Sequence, residues 1–405
     1  MTSHVQQDEI PHRASVLEVF FAFLKLGLTS FGGPIAHLGY FHTEFVERRK
    51  WLSDHAYADL VGLCQFLPGP ASSQVGIALG LSRAGYWGAI AAWLGFTLPS
   101  AIALICFALG LSQLNGVLST GGLHGLKVVA VAIVAQALWQ MGKSLCPDRL
   151  RISMAIVAAV TISLFSIALG QIVVIIGGAC LGIIFLKKVP SLPATTIPTK
   201  VSWWMGILAL TLFFALLLIL PLLASITQNH LIMFIDSFYR AGALVFGGGH
   251  VVLPLLQASV VGEGWVTNDT FLAGYGAAQA VPGPLFTFAA YLGAIAQPEP
   301  NGWLGGFIAL VVIFLPAFLL VLGVLPFWQK IRHFPIAQRA MMGANAAVVG
   351  ILLAAFYNPV WTSAILKPLD FALAIIAYLL LVFWKLPPWL VVLLSAVGGI
   401  VIVQF

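Results

Sequence analysis

Apolar residues run along this chain in long blocks separated by short polar interruptions. Thirteen such segments can be drawn, with rough limits 17–41, 60–80, 86–111, 124–142, 152–168, 170–186, 203–224, 232–256, 271–296, 303–326, 337–357, 369–384 and 387–405. Most approach the ~20 apolar residues that a membrane-spanning helix needs. Between the sixth and seventh, Val189 to Lys200 carries Pro190, Pro193 and Pro198 and reads as a connection between two halves.

The blocks repeat. Phe31-Gly32-Gly33-Pro34 returns as Phe246-Gly247-Gly248-Gly249, about 215 positions later, and Gln65-Phe66-Leu67-Pro68-Gly69-Pro70 returns as Gln279-Ala280-Val281-Pro282-Gly283-Pro284. On the same step Lys25 falls on Arg240, Gly27 on Gly242, Trp51 on Trp265, Gly85 on Gly302 and Pro99 on Pro316. The predicted organisation is a polar N-terminal segment (1–16), a first repeat (17–188), a linker with one linking transmembrane helix (189–224), and a second repeat (225–405).

Charge indicates how the repeats face. Glu47-Arg48-Arg49-Lys50 follows the first glycine motif, whereas its counterpart, 257–270, has no Lys or Arg. The stretch 111–123 has none, and its counterpart carries Lys330, Arg332 and Arg339. Each loop exchanges its charge between halves, which predicts two repeats of inverted topology. The first two segments of each repeat are expected to be re-entrant, entering and returning on one side. Fifteen loop cations then lie inside and one outside, with Lys25, Lys127 and Arg240 embedded. If every segment crossed instead, four would fall outside. The helix breaks at Gly32, Gly33 and Pro34, at Pro68 and Pro70, at Gly247 and Gly248, and at Pro282 and Pro284 sit mid-segment, where freed backbone must line a cavity or be buried. The ordinary alternative is a set of kinked spanning helices.

Composition fits this picture. Of 405 residues, 60% are hydrophobic and 8% charged, too few charges to cover a soluble surface. The mean hydropathy is +1.03. The net charge of +6 sits in loops, so it sets orientation in the bilayer rather than marking a nucleic-acid partner. The N-terminus is expected in the cytoplasm and, lacking a signal peptide, to be retained. Cys64, Cys106, Cys146 and Cys180 form no ligand pattern and read as inert buried thiols. Trp51 and Trp265 are expected to anchor at the membrane interface.

Inverted repeats with broken helices place a transport site near the midplane, at the repeat interface. Residues after each Pro-Gly-Pro begin a half-helix whose first N–H groups are free, a favourable place for an anion. Ser72, Ser73 and Thr287 add hydroxyls, Gly69 and Gly283 bring backbone close, and Gln65 and Gln279 precede the breaks. Lys25 and Arg240 are embedded cations and favour an anionic substrate; pairing with Glu18 or Asp236 is their alternative role. His37, His250 and Glu44 are candidate proton carriers, although an interhelical hydrogen bond is the commoner role of such a histidine. Asn345 is either a cavity residue or a helix-to-helix bond. No His-Glu-x-x-His, P-loop, Gly-x-Ser-x-Gly or dinucleotide fingerprint occurs, so no catalytic residue, metal ligand or cofactor is expected.

At these residues the sequence resembles the chromate ion transporter family in its long, two-domain form. The stretches that carry it are Phe31 to Phe41, Leu63 to Pro70, Gly95 to Pro99, Phe246 to His250 and Gly274 to Pro284. The resemblance implies export of chromate across the inner membrane, proton-coupled exchange, chromate resistance, and sulfate as a related oxyanion. The expected fold is an all-α polytopic membrane protein, with homo-oligomers left open. The competing readings are an uncoupled anion channel, a carrier of another anion, and an intramembrane enzyme using Ser72 or Ser73 with His37.

Overall fold

The computed structural model describes residues 14–111, 117–165, 170–187, 201–246, 248–331 and 334–403. Gly247, most of the N-terminal segment and the proline-rich linker lie outside the described residues. Every regular element among the described residues is a helix.

The chain opens with two helical hairpins. α1 (Val16–Thr29) is capped by Ser15, whose Oγ accepts from the N–H of Glu18 at 3.0 Å. Its 14 residues reach only ~21 Å, short of the ~30 Å hydrocarbon layer. After the glycine break the chain returns as α2 (Gly33–His42) and a π-helical turn, Thr43–Arg48. Phe23 of α1 packs on Phe41 and Phe45 of the return arm, and Arg49 reaches back to Glu18 at 3.4 Å. Start and end of this hairpin therefore lie together. α3 (Asp54–Phe66), capped by Ser53, breaks at Pro68-Gly69-Pro70 and returns along the first part of α4 (Ala71–Leu111). Arg83 sits over the Trp51 ring, 5.3 Å from its centroid, closing the second hairpin beside the first. At Ala84–Gly85 α4 kinks, with Gly85 at φ +67°, and the remainder is long enough to cross a membrane. α5 (Val117–Leu145) also has spanning length, α6 (Arg149–Leu164) and α7 (Gly170–Phe185) are shorter, and α8 (Trp203–Thr227) spans again.

The second half follows the same plan. α9 (His230–Ala243) runs to its break and returns through α10 (Val252–Leu256), flanked by a 3-10 turn and a π turn. Trp265 then packs on His230, with ring centroids 4.9 Å apart, so this hairpin also closes on its own start. α11 (Asn268–Ala278), capped by Thr267, breaks at Pro282-Gly283-Pro284 and returns as α12 (Phe288–Ile295). The Gln297 N–H donates to the Trp265 carbonyl at 3.0 Å and closes the fourth hairpin. α13 (Gly302–Val324) begins at Gly302, φ +56°, where the first half has Gly85. Then come α14 (Trp328–Ile331), α15 (Pro335–Ala355), α16 (Thr362–Ala364), α17 (Pro368–Val382) and α18 (Pro388–Ile402).

The halves exchange their last two helices. α6 and α7 pack on α15, while α17 and α18 pack on α5. Small residues permit the close approach. Gly121 and Gly125 of α5 meet Ser395 and Gly399 of α18, and Gly343 and the Arg339 backbone of α15 meet Gly178 and Gly182 of α7. Gly178 and Gly182 are thus consumed within the chain. Outside, α8 presents Leu218 and Ile226, 70% and 69% exposed, a belt that water would not tolerate but lipid does.

Two expectations need correction. Trp51 and Trp265 are buried rather than interfacial, because each lies under its own hairpin; Trp51 stacks on Phe45 at 4.7 Å. Of the four thiols, all free, only Cys64 and Cys146 are buried, while Cys106 and Cys180 are exposed on outward helix faces.

Candidate functional site

The breaks bring main chain to the centre. Gly32 (φ +100°) and Gly33 (φ +81°) take left-handed conformations that an L side chain resists, and Pro34 then starts α2. Gly69 (φ +120°) and Gly283 (φ +100°) do the same between their prolines. A Cβ on Gly283 would sit 2.8 Å from Ser100 Oγ and 3.1 Å from the Phe96 carbonyl. The N–H of Gly283 donates to the Ser30 carbonyl at 2.9 Å, and the N–H of Gly69 donates to the Val245 carbonyl at 2.6 Å. Each Pro-Gly-Pro tip is therefore tied to the glycine break of the opposite half.

Beside the first tie lies a cavity of about 360 Å³. That is room for roughly twelve waters at ~30 Å³ each, enough for a small anion with part of its hydration shell. Gly32 and Gly33 form one wall, and His250, Gln279, Gly283 and Leu285 another. Gln136 and Gln140 of α5 and Lys385 of the α17–α18 turn line its mouth. Its charged and amide groups are thus one cation and three glutamines; no Asp or Glu lines it among the described residues. Gln279 Nε2 is buried there without a hydrogen-bond partner among them. His250 Nδ1 is 2.8 Å from the Tyr275 hydroxyl, and Nε2 lies 3.8 Å from where a Gly33 side chain would begin. A buried donor with no protein partner is costly, and a ligand or water must satisfy it.

The other sequence-derived residues fall elsewhere. Lys25 is half-exposed and ion-paired to Glu44 at 3.2 Å. Glu44 is buried and also holds Arg48 at 2.9 Å and Arg49 at 2.8 Å. It is a hub for three cations rather than a group facing the cavity. Arg240 pairs with Asp236, one turn earlier on α9. Neither embedded cation lines the cavity. Ser72 Oγ is 3.4 Å from His37 Nδ1, and the Thr287 hydroxyl donates to the Pro284 carbonyl at 2.8 Å. Gln74 Nε2 donates to the Pro68 carbonyl at 2.7 Å and braces the first Pro-Gly-Pro tip. Ser73 Oγ and His37 Nε2 are buried without partners among the described residues, away from this cavity. Gln65 is exposed and Asn345 keeps a buried Oδ1 without a partner; neither lines it. The structure brings together Gly32, Gly33, His250, Gln279 and Gly283, and leaves Lys25, Arg240, Gln65, Ser72, Ser73 and Thr287 outside.

The amide and charged lining residues that escaped the sequence reading are Gln136, Gln140 and Lys385. Gln136 and Gln140 are four apart in an apolar segment, which places two amides on one helix face. That spacing was the available signal. Lys385 resembles any loop cation, and only the turn between α17 and α18 brings it to the mouth.

Broken helices around a polar cavity, within an all-α multi-pass membrane chain, define a membrane transport protein. The chain belongs to the chromate transporter family, whose model matches residues 17–183 and 232–400. It is similar to the chromate transport protein of Pseudomonas aeruginosa, 27% identical over 361 residues, 85% of this chain and 81% of that one. It is also similar to the probable chromate transport protein of Synechococcus elongatus, 29% identical over 390 residues, covering 94% and 93%. The uncharacterized transporter YwrA of Bacillus subtilis matches over 119 residues at 32% identity, 29% of this chain and 65% of the relative. No solved structure matches. The family is one of transporters, not enzymes.

Proposed function

We propose that this protein exports chromate from the cytoplasm through the central cavity, in exchange for protons, and so confers chromate resistance. Sulfate, which shares its shape and charge, is the related substrate. The observation that carries the reading is a cavity lined by the buried Gln279 amide, two further amides and one cation, with no Asp or Glu among the described residues, where the first glycine break meets the second Pro-Gly-Pro. Chromate is a tetrahedral oxyanion that accepts hydrogen bonds on every face. Gln279 Nε2, the amides of Gln136 and Gln140, and the ring of His250 supply donors. With the Tyr275 hydroxyl donating to Nδ1, the His250 hydrogen sits on Nε2 and faces the cavity. Lys385 at the mouth supplies positive potential that draws the anion in.

In this reading residues 17–188 and 225–405 are two inverted halves joined through 189–224, and the re-entrant hairpins are the broken helices of each. The two family matches and the like sequence of helices support it. The positive-inside rule puts Arg48 to Lys50, Arg151 and Lys385 in the cytoplasm, together with the N-terminus, in an inner membrane. The mouth at Gln140 and Lys385 then faces the cytoplasm, which suits loading for export. His250 is the proton carrier of the cavity, whereas Glu44, held by three cations, is not.

Everted membrane vesicles containing the protein test this directly. Chromate accumulation should require a proton gradient and fall with excess sulfate. Accumulation that ignores the gradient would move the reading to an uncoupled anion pathway. No accumulation, with the protein inserted and intact, would discard chromate for this chain in favour of another anion.

A further inference from the structure

The two halves match in sequence and element order, yet they are not in the same conformation. On the face opposite the cavity mouth, α11 of the second half packs along α5 of the first. Gly276 of α11 lies against the Leu126 carbonyl, an approach that leaves no room for a side chain. One residue on, buried Lys127 pairs with Asp269 at 3.0 Å. The repeat-related pair is α3 and α15, and among the described residues these make no comparable contact. One end of the molecule is shut by a repeat-to-repeat contact. The corresponding contact, α3 on α15, is not made among the described residues, and the cavity mouth at Gln140 and Lys385 lies at the other end of α5.

The glycine contacts fix the correspondence between halves. Gly125 meets α18 as Gly343 meets α7, so Leu126 corresponds to Ala344 and Lys127 to Asn345. Trp51 and Trp265 with their neighbouring helix caps Ser53 and Thr267 equate His55 with Asp269 and Gly62 with Gly276. Exchanging the conformations of the two halves yields the opposite-facing state without any new geometry.

We propose that Lys127, Asp269 and Gly276 form one gate of this transporter, and that Gly62, His55, Ala344 and Asn345 form the other, closed only when the first is open. In the alternate state Gly62 seats on the Ala344 carbonyl and His55 meets Asn345. Asn345 Oδ1, buried and without a partner among the described residues, gains one there. Gln136, on the cavity wall in this state, becomes covered, while its counterpart Ala354, now 7% exposed, becomes accessible from the opposite face. The inference uses the two-half reading but not the identity of the anion.

The test is thiol labelling in vesicles with a membrane-impermeant maleimide, in a full-length chain with Cys64, Cys106, Cys146 and Cys180 replaced by alanine. Gln136→Cys and Ala354→Cys are the reporters, each with and without Asp269→Asn. Asp269 is 68% exposed at its side chain, so asparagine there removes the charge without opening a hole in the packing. Losing one such ion pair shifts a two-state balance about two- to five-fold. Ala354→Cys labelling from the face bearing Asp269 should rise by that factor, and Gln136→Cys labelling from the face bearing Lys385 should fall. Lys127→Met should act in the same direction. The proposal is overturned if both labels stay constant or if both rise together, the latter being general loosening. As a second readout, a flexible bifunctional thiol reagent should bridge His55→Cys to Asn345→Cys faster with Asp269→Asn than without. Equal bridging rates also overturn it. Neither readout needs chromate, so a failed transport assay and a failed gate are separable outcomes.

Discussion

Replacing Gln279 with leucine separates a binding role from a structural one. Gln279 Nε2 is buried with no hydrogen-bond partner among the described residues, so leucine of nearly the same size removes no protein contact from it. The fold should therefore be as stable as before, or slightly more stable, since an unsatisfied buried donor costs about 1–3 kcal/mol. The bound anion, in contrast, loses a hydrogen bond to a charged acceptor, about 1.5–3 kcal/mol. That converts to a rise in KM of about 10- to 150-fold. Gln74→Leu is the matched control. It sits beside the first Pro-Gly-Pro, but its amide donates to the Pro68 carbonyl and does not line this cavity. Its loss orphans that carbonyl and should lower stability by about 1–3 kcal/mol, with KM for chromate little changed in the protein that still folds. The assays are chromate uptake into everted vesicles across a concentration series, and thermal unfolding of the purified protein. An unchanged KM in Gln279→Leu, or a fall in stability like that of Gln74→Leu, would refute the argument.

Lys385→Gln should weaken apparent affinity several-fold at low ionic strength, with the difference closing near 1 M salt, where the Debye length is about 3 Å; Lys385→Arg should restore it, and a salt-independent defect would point to a structural role. Lys25→Met should leave KM within about two-fold, because it lies outside the cavity and Glu44 keeps Arg48 and Arg49. Glu44→Gln should destabilise the first hairpin by about 1–3 kcal/mol, read as a lower unfolding temperature, since three cations lose a shared acceptor. Gly283→Ala should abolish transport and impair folding, because its φ of +100° disfavours a side chain and the Cβ would meet Ser100 Oγ at 2.8 Å; wild-type uptake by that variant would contradict the packing described.

The sequence carried much of this because membrane folding leaves strong marks. Apolar blocks, the two Pro-Gly-Pro tips and the exchange of loop charge each follow from the cost of polar groups in lipid, so they can be read without coordinates. Arg83 over Trp51 and Trp265 against His230 bring the hairpin arms back beside their starts. The site was less legible. Lys25 and Arg240 drew attention as rare embedded charges, yet each has a carboxylate partner; Arg240 finds Asp236 on its own helix, whereas the partner of Lys25 depends on which return arm comes alongside. Glu44 lies 19 residues from Lys25, whereas the nearer Glu18 pairs with Arg49 instead. The same limit applies to Gln65 and Gln279, identical in motif but different in surroundings. No repeat pattern can reveal that difference, because it arises from the halves adopting unlike conformations.

The ties at the centre run from main chain to main chain, Gly69 to Val245 and Gly283 to Ser30. Such a joint asks only for a glycine that can take the required φ on one strand and a carbonyl on the other. Side chains elsewhere on the two surfaces are then free to drift. Two halves joined in this way can diverge in nearly every residue while their registration survives. For the same reason the joint does not depend on a peptide link between them. A gene cut between the halves should still yield a working pair, since each fragment brings one glycine and one carbonyl to the meeting.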